Sequence, residues 1–523
     1  MGRRTGDYLL GTSFLAVALF LAMSQEKSES GLLRPEERGV SHGIPASHWT
    51  TESGRRQLPS VAAFSPQPTH AVLKNLSRGT RIVVGSLDVS GRRHQLSVAI
   101  GSNDSMREVS FPVLRFSIND IARWRNAERL PTPMCRRIET QRLLPDISAC
   151  NHSVNETSAR VFLTPHFRDT GTVHEPAECR FIGESPRVRV YADRRLMQST
   201  TAGKSTPWSQ SLTSAAELRA LPVVYAWIGA INDVDYDQKL SIVVTDLDHR
   251  SRSASHSSPI YGCIREADFQ SNSDFCGDIV YIDPSIFELP TDELAALLTH
   301  EITHAAVCSI KAEKSLGSTD PAGSGTQPAG LQVPPWLSEA TAHFVELQCG
   351  DADAGAAEMS ENFQRRMDAF FADPAGSPIV AAEDVLSLEE RRSGSRGAAT
   401  LFLARWISSA EALQQVLRSD AALDRRIEQL AEEPFADVFR HWTLSLATMS
   451  TLPSARSSEH NSLRLDRFSA ASKQTRFSLL GTAFRCFECS DDIASLVIES
   501  DDGAQLQISI IEPEARICSA KMD

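Results

Sequence analysis

The segment His300-Glu-Ile-Thr-His304 constrains the fold of this chain more than any other stretch. It sits inside a run with helical apolar spacing from Thr291 to Cys308, where Thr291 is a good N-cap and Asp292 and Glu293 complement the dipole of the first turn. Four residues at about 100° each bring the two imidazoles within about 40° of one another on one face, one turn apart. That pairing suits two neighbouring ligands of a tetrahedral zinc ion, which binds histidine nitrogen at about 2.0–2.1 Å. Glu301 stands beside the first ligand, where its carboxylate can reach a metal-bound water and take its proton without ligating the metal. With 14 His in 523 residues, chance supplies only about 0.02 such patterns per chain. The plain alternative is two histidines on a satisfied helix face.

Catalytic zinc needs a third protein ligand and one open position. No histidine follows His304 at short spacing, so the ligand must come from further along. Val333-Pro-Pro-Trp-Leu-Ser-Glu339-Ala-Thr-Ala-His343-Phe-Val-Glu346 opens a second helix, with Pro335 pre-setting φ at its entry. Glu339, one turn in, is the expected third ligand, and His343 and Glu346 rank below it. A donor for the developing oxyanion is also required, and Tyr261, Tyr281, His343 and Arg396 are all candidates. Asp278-Ile-Val-Tyr-Ile282, just before the first helix, is either a sheet edge that aligns a peptide by strand addition or a buried strand. Asp233, Asp235 and Asp237 have the spacing of a calcium loop, with apolar Leu240 in the eighth position. Gln238 stands where such a loop expects Gly, and Val244 where it expects the closing Glu, so an ordinary Asx-turn is the alternative reading.

Outside this core, the chain divides by composition. A charged start at Arg3-Arg4, a 13-residue apolar run from Leu9 to Leu21 and a small-x-small site ending at Ser24 predict a signal peptide over 1–24. The apolar run is shorter than the roughly 20 residues a membrane-spanning helix needs. A polar leader follows over 25–69, then an N-terminal β domain over 70–185, a catalytic domain over 186–450 and a C-terminal β domain over 451–523. In the last of these, Asp501-Asp-Gly503 between two β-branched runs signals a hairpin. Export predicts a secreted or otherwise extracytoplasmic chain, cell-surface association included, with no membrane span once the signal is removed. It also permits disulfides. Cys135 with Cys150, Cys263 with Cys276, and Cys308 with Cys349 are the candidate pairs, and Cys486-Phe-Glu-Cys489 lacks the second close pair a zinc ribbon requires. Asn75, Asn103, Asn151 and Asn155 fit the glycosylation acceptor pattern.

A net charge of −13 and a pI near 5.6 argue against nucleic acid as a partner. At 41% hydrophobic and 23% charged, the chain is neither disordered throughout nor fibrous.

Taken together, His-Glu-x-x-His followed by Trp336-Leu-Ser-Glu-Ala-Thr-Ala-His-Phe344 resembles the gluzincin zinc metallopeptidases of the peptidase MA type. Asn232-Asp-Val-Asp-Tyr-Asp-Gln-Lys-Leu-Ser-Ile-Val-Val244, the region of Ser271-Asn-Ser273 and Arg396-Gly-Ala-Ala-Thr-Leu-Phe-Leu403 are similar to hyicolysin-like secreted bacterial proteases, over roughly residues 186–450. The resemblance implies an α+β fold with a zincin-like core, a mixed sheet plus active-site helix and helical lower subdomain, here flanked by small β domains. It implies zinc ligands His300, His304 and Glu339, the base Glu301, and a protein or peptide substrate. One departure concerns the acidic residue that gluzincins often carry four positions after the glutamate ligand. His343 stands there, so an orienting carboxylate must come from elsewhere, with Glu346 and Asp292 as candidates. The function implied is a secreted zinc-dependent metalloendopeptidase. The alternative is an exported surface or binding protein with a non-catalytic or narrowly specific core.

Overall fold

Strands rich in β-branched residues occur near both ends of the chain, and in the structure they find each other. This computed structural model describes residues 70–101, 114–117, 121, 159–168, 171–199, 205–247, 260–269, 275–317, 333–349, 361–380, 394–419, 421–449, 463–472, 474–500 and 505–513. The expected signal peptide and leader, Cys135, Cys150, Cys518, Asn103, Asn151 and Asn155 lie outside these residues.

The first four strands are β1 (His70–Leu76), β2 (Arg81–Ser86), β3 (Arg93–Ile100) and β4 (Leu114–Ser117). Six more follow: β5 (Ala159–Arg168), β6 (Gly171–Glu184), β7 (Val188–Asp193), β8 (Leu240–Val244), β9 (Gly262–Ile264) and β10 (Ile279–Ile282). The last five are β11 (Asp466–Phe468), β12 (Gln474–Leu480), β13 (Phe484–Cys489), β14 (Ile493–Ser500) and β15 (Leu506–Glu512). Helices α1 (Arg194–Ser199), α2 (Ser205–Ala215) and α3 (Leu221–Trp227) precede β8, the last two joined by a π-helical turn over Ala216–Ala220. Then come α4 (Thr291–Gly317), α5 (Pro335–Glu346), α6 (Glu361–Ala372), α7 (Gly394–Trp406), α8 (Ala410–Arg418), α9 (Leu423–Ala431) and α10 (Phe435–Met449). The chain is α+β.

Two separate flanking β domains are not what forms. One sheet runs β1-β14-β3-β12 and the other β11-β13-β2-β15-β4, so each interleaves strands from both ends of the chain. Ile82 and Val84 of β2, Leu96 and Val98 of β3, Leu496 and Ile498 of β14, and Ile508 and Ile510 of β15 share one core between the sheets. The hairpin expected at Asp501-Asp-Gly503 is corrected too, because β14 and β15 belong to different sheets. Alternation tells a strand which face to bury and leaves its neighbour unnamed. The opposite face of the five-stranded sheet, with Val83, Phe484, Cys486 and Ile511, joins the core of the helical region. Trp442 of α10 packs its ring against Phe484 and Phe370 there, with centroids 5.7 and 5.9 Å away. Arg81 donates to the Ala447 carbonyl at 2.6 Å and Gln507 to that of Ala436 at 2.6 Å, fastening the sheet to α10.

A six-stranded mixed sheet of order β5-β6-β7-β8-β10-β9 lies between these termini in sequence. Its first two strands correct the boundary expected at residue 185, since β6 joins this sheet antiparallel to β7 and β5 pairs antiparallel with β6. β7, β8 and β10 are mutually parallel, and short β9 runs antiparallel on the outside of β10. The segment 278–282 is therefore an interior strand, and the edge is β9. Along β10, Val280 and Ile282 face the helices while Ile279 and Tyr281 face the opposite side, as a strand buried on both faces requires.

Helix α4 crosses the inner face of this sheet and is buried along most of its length. Its interior threonines cost little, because Thr299 and Thr303 donate back to the carbonyls of Ala295 and Thr299 at 2.8 and 2.7 Å. The helix runs past the expected end at Cys308 to Gly317. Helix α5 packs beside it, α7 beside α5, and α6 beside α7. The α6–α7 contact is backbone on backbone: a Cβ at Gly397 would stand 2.5 Å from the Arg366 carbonyl oxygen.

The seven described cysteines, Cys179, Cys263, Cys276, Cys308, Cys349, Cys486 and Cys489, are free thiols, so the expected bridges Cys263–Cys276 and Cys308–Cys349 are not formed. Cys486 and Cys489 belong to opposite faces of β13, one in the helical core and one in the sandwich, because an odd spacing on a strand reverses the side chain. Among the described residues, no helix is long and apolar enough to cross a membrane.

Interleaved termini make a sharp prediction about truncation. A chain ending before β11 removes the partners of β1, β2 and β3, so residues 70–101 should become rapidly cleaved in limited proteolysis followed by mass spectrometry. Two independently folded β domains would leave that segment as resistant as in the full chain.

Candidate metal centre

Helix α4 projects His300 and His304 one turn apart, and their Nε2 atoms stand 3.2 Å from one another. Glu339 comes from the second turn of α5, and its Oε2 lies 3.6 Å from His300 Nε2 and 3.8 Å from His304 Nε2. Donors held tetrahedrally at about 2.0–2.1 Å from one ion are themselves roughly 3.3–3.4 Å apart. The three separations match that edge length to within half an ångström. Glu339 Oε2 is also buried and makes no hydrogen bond. A buried carboxylate oxygen without a partner costs several kcal/mol per ion, about what a cation at that point would offset. His300, His304 and Glu339 could therefore hold a metal ion.

Each ligand has a partner on its far side. Arg396, from the first turn of α7, forms an ion pair through Nη2 with Glu339 Oε1 at 2.7 Å. Ser338 Oγ lies 2.8 Å from His304 Nδ1, and Glu346 Oε2 lies 3.2 Å from His300 Nδ1. Each of these contacts leaves Nε2 as the nitrogen that faces the centre, the usual way a protein sets a ligand histidine's tautomer. The orienting carboxylate is thus Glu346, two turns after Glu339 and on the same face of α5. Asp292, the other candidate, is exposed and pairs with Arg219 at the start of α4. His343, four residues after Glu339, binds the same Glu346 oxygen through Nδ1 at 2.9 Å. It is a fully buried member of a second cluster with His300 and Glu346, its ring 4.5 Å from that of His300.

The charges answer one another. Burial would raise the Glu339 carboxyl, but Arg396 and the two histidines outweigh it and hold it well below the usual range. Burial would likewise raise Glu346, yet its bonds to His300 and His343 keep it ionised. His300, between the two carboxylates, is pushed up to about 10 against the effect of burial. His304 falls to about 3 and His343 to about 4, in both cases through burial first. Glu301 rises to about 7 because it is buried and faces the other carboxylates. No hydrogen bond ties down its carboxylate among the described residues. The edge strand passes directly over it: a Cβ at Gly262 would sit 2.7 Å from Glu301 Cγ and 3.1 Å from Oε1. Only glycine lets β9 approach the acid that closely.

Two of the oxyanion candidates are displaced by their surroundings. Tyr281 is buried on the other face of the sheet, where its hydroxyl donates to Asp268 at 2.8 Å. His343 lies behind His300. Arg396 stands at the centre through its pairing with Glu339, and Tyr261 precedes Gly262 in the chain. Asp233, Asp235 and Asp237 do gather, with carboxylate oxygens within 4.8 Å of one another. Arg160 pairs with Asp235 at 2.9 Å and Arg189 with Asp237 at 2.5 Å, while Asp233 accepts from the backbone N–H of Asp237 and Gln238. Those contacts are the turn chemistry of an Asx-rich loop neutralised by two arginines.

Ser338 and Gly262 are the functional positions that residue patterns did not single out. Ser338 adjoins the ligand glutamate, which was the one available signal. Gly262 had none, being one glycine among 28. A scan of the chain against protein-family models and a search of curated proteins both find no match.

Replacing Glu346 by Gln keeps the shape and removes the charge behind His300. Metal affinity, read by competition with a chromophoric chelator, should fall about 10–100-fold. Asp292→Asn should leave it unchanged.

Proposed function

We propose that this protein is a zinc-dependent metalloendopeptidase with a zincin-like, gluzincin-type core, exported by the apolar segment Leu9–Leu21. The observation that carries the reading is the triangle of His300 Nε2, His304 Nε2 and Glu339 Oε2, with edges of 3.2, 3.6 and 3.8 Å, beside a buried carboxylate that is not one of its corners. Two imidazoles and one carboxylate, with no fourth protein donor in the group among the described residues, are the donor set of hydrolytic zinc, whereas purely structural sites close all four positions with protein ligands. The layout supports the same core. A helix bearing two donors lies under a sheet whose outermost strand is antiparallel to its neighbour, and the next helix brings the third donor.

Zinc, when bound, would supply Lewis acidity, polarising a peptide carbonyl and lowering the pKa of water. The chain's own residues do the remainder. His300, His304 and Glu339 hold the ion, and Glu346 and Ser338 keep both imidazoles turned towards it. Glu301 takes a proton from the attacking water as the new C–O bond forms, then delivers it to the amide nitrogen as the C–N bond breaks. Its burial excludes bulk water from that transfer, and Gly262 lets β9 lie close over it. Among the described residues β9 is the outermost strand on its side of the sheet, where an extended peptide could add, which supports protein or peptide as the substrate class.

The test compares purified protein with Glu301→Gln in cleavage of casein and in zinc content. The variant should keep its zinc and lose about 10²–10⁴-fold in rate. A strong zinc chelator should silence the unaltered protein and added zinc restore it. Equal cleavage by both forms sinks the assigned base. Zinc bound with no cleavage by either form moves the conclusion to a binding or narrowly specific core.

A further inference from the structure

Arg396 has more donors than its ion pair uses. It pairs with Glu339 through Nη2 at 2.7 Å and makes no side-chain hydrogen bond among the described residues. A guanidinium carries five N–H donors in one rigid plane, so most of this fork is unspent. The side chain is 27% exposed. One arm therefore pairs with a candidate ligand carboxylate, and the other donors have no partner among the described residues. The platform beneath it is stiff, because Gly397 brings α7 against the backbone of α6 at Arg366. The positive charge is felt across the centre, opposing the rise of Glu301 and deepening the fall of His304.

Such a group is pre-organised in the sense that matters for catalysis. It is a cation held in place before reaction, partly out of water, beside the ion that would draw the substrate carbonyl. With Tyr281 and His343 committed elsewhere, we propose that the free edge of Arg396 is the donor that binds the substrate carbonyl oxygen as it takes on negative charge. This deepens the peptidase reading above and rests on it. A simple clamp on Glu339 would need only the single arm already used. A site for a substrate's terminal carboxylate would draw on the same chemistry, but Arg396 is fixed on the ligand itself, close to the reacting carbonyl.

The experiment uses the full mature chain loaded with zinc, comparing the unaltered protein with Arg396→Gln, Arg396→Lys and Tyr261→Phe. Three quantities are read: bound zinc per chain, kcat and KM on an internally quenched peptide blocked at both ends, and affinity for a phosphinic peptide, whose tetrahedral anion mimics the charged oxygen. For Arg396→Gln, kcat should fall about 10²–10³-fold with zinc retained and KM within a few-fold. Phosphinic-peptide affinity should drop in the same proportion, Arg396→Lys should recover part of both, and Tyr261→Phe should change little. Loss of zinc with activity restored by excess zinc would reduce Arg396 to a clamp and overturn the proposal. So would unchanged phosphinic-peptide affinity, a loss confined to KM or to substrates with a free C-terminus, or a larger loss in Tyr261→Phe. If the unaltered protein cleaves and the Arg396 variants cleave equally well, only this inference falls. If the unaltered protein binds zinc and cleaves nothing, the peptidase reading falls with it.

Discussion

The rest of the core is arranged around one electrostatic demand, the burial of Glu301, Glu346 and the Oε2 of Glu339 within a pair of packed helices. Each ionised group removed from water costs several kcal/mol unless it is paired and hydrogen-bonded. Glu346 is satisfied by two imidazoles, and one oxygen of Glu339 by Arg396. The other oxygen of Glu339 has only the two Nε2 atoms before it, at distances too long for good hydrogen bonds and right for a shared cation. The packing serves that geometry. Small residues such as Ala295, Ala305 and Ala340 and the back-bonded threonines let α4 and α5 lie close, and Gly397 seats the helix that brings Arg396.

A second constraint is architectural. The sandwich made from the two ends of the chain rests its five-stranded sheet on α10 through Phe484, Trp442, Arg81 and Gln507. The metal-site region thus sits between two halves of one β unit in sequence, and its chain ends are tied together. Without pairing to β13 and β15, β2 would expose Val83 on one side and Ile82 and Val84 on the other, all buried here.

Much of the site was legible because its signals are local. A two-histidine pair at i, i+4 needs only the pitch of one helix, and a glutamate behind a Trp-Leu-Ser run on a Pro-led helix needs only the next one. The partners on the far side of each ligand were harder. Glu346 and Asp292 were equal candidates in sequence, and choosing between them required knowing which way α5 faces. Residues 278–282 could be an edge or a buried strand in sequence, since a run of Ile, Val and Tyr reads the same in either place, and the structure makes them interior. β9 has only Gly-Cys-Ile, too short to declare itself. Likewise, the cysteine spacings invited bridges, while Cys486 and Cys489 turned out to lie on opposite faces of one strand.

By itself, the sequence determined the elements and the donor chemistry: an α+β chain, a helix carrying His300, Glu301 and His304, and a second helix carrying Glu339. Helical pitch and side-chain type decide these within a few residues of chain. The tertiary structure alone decided that β1–β4 pair with β11–β15, that β9 lies over Glu301, and that Glu346, Ser338 and Arg396 stand behind the ligands. Those outcomes depend on which buried faces meet across long stretches of chain. Periodicity gives each face its polarity and leaves its partner to the packing of the whole.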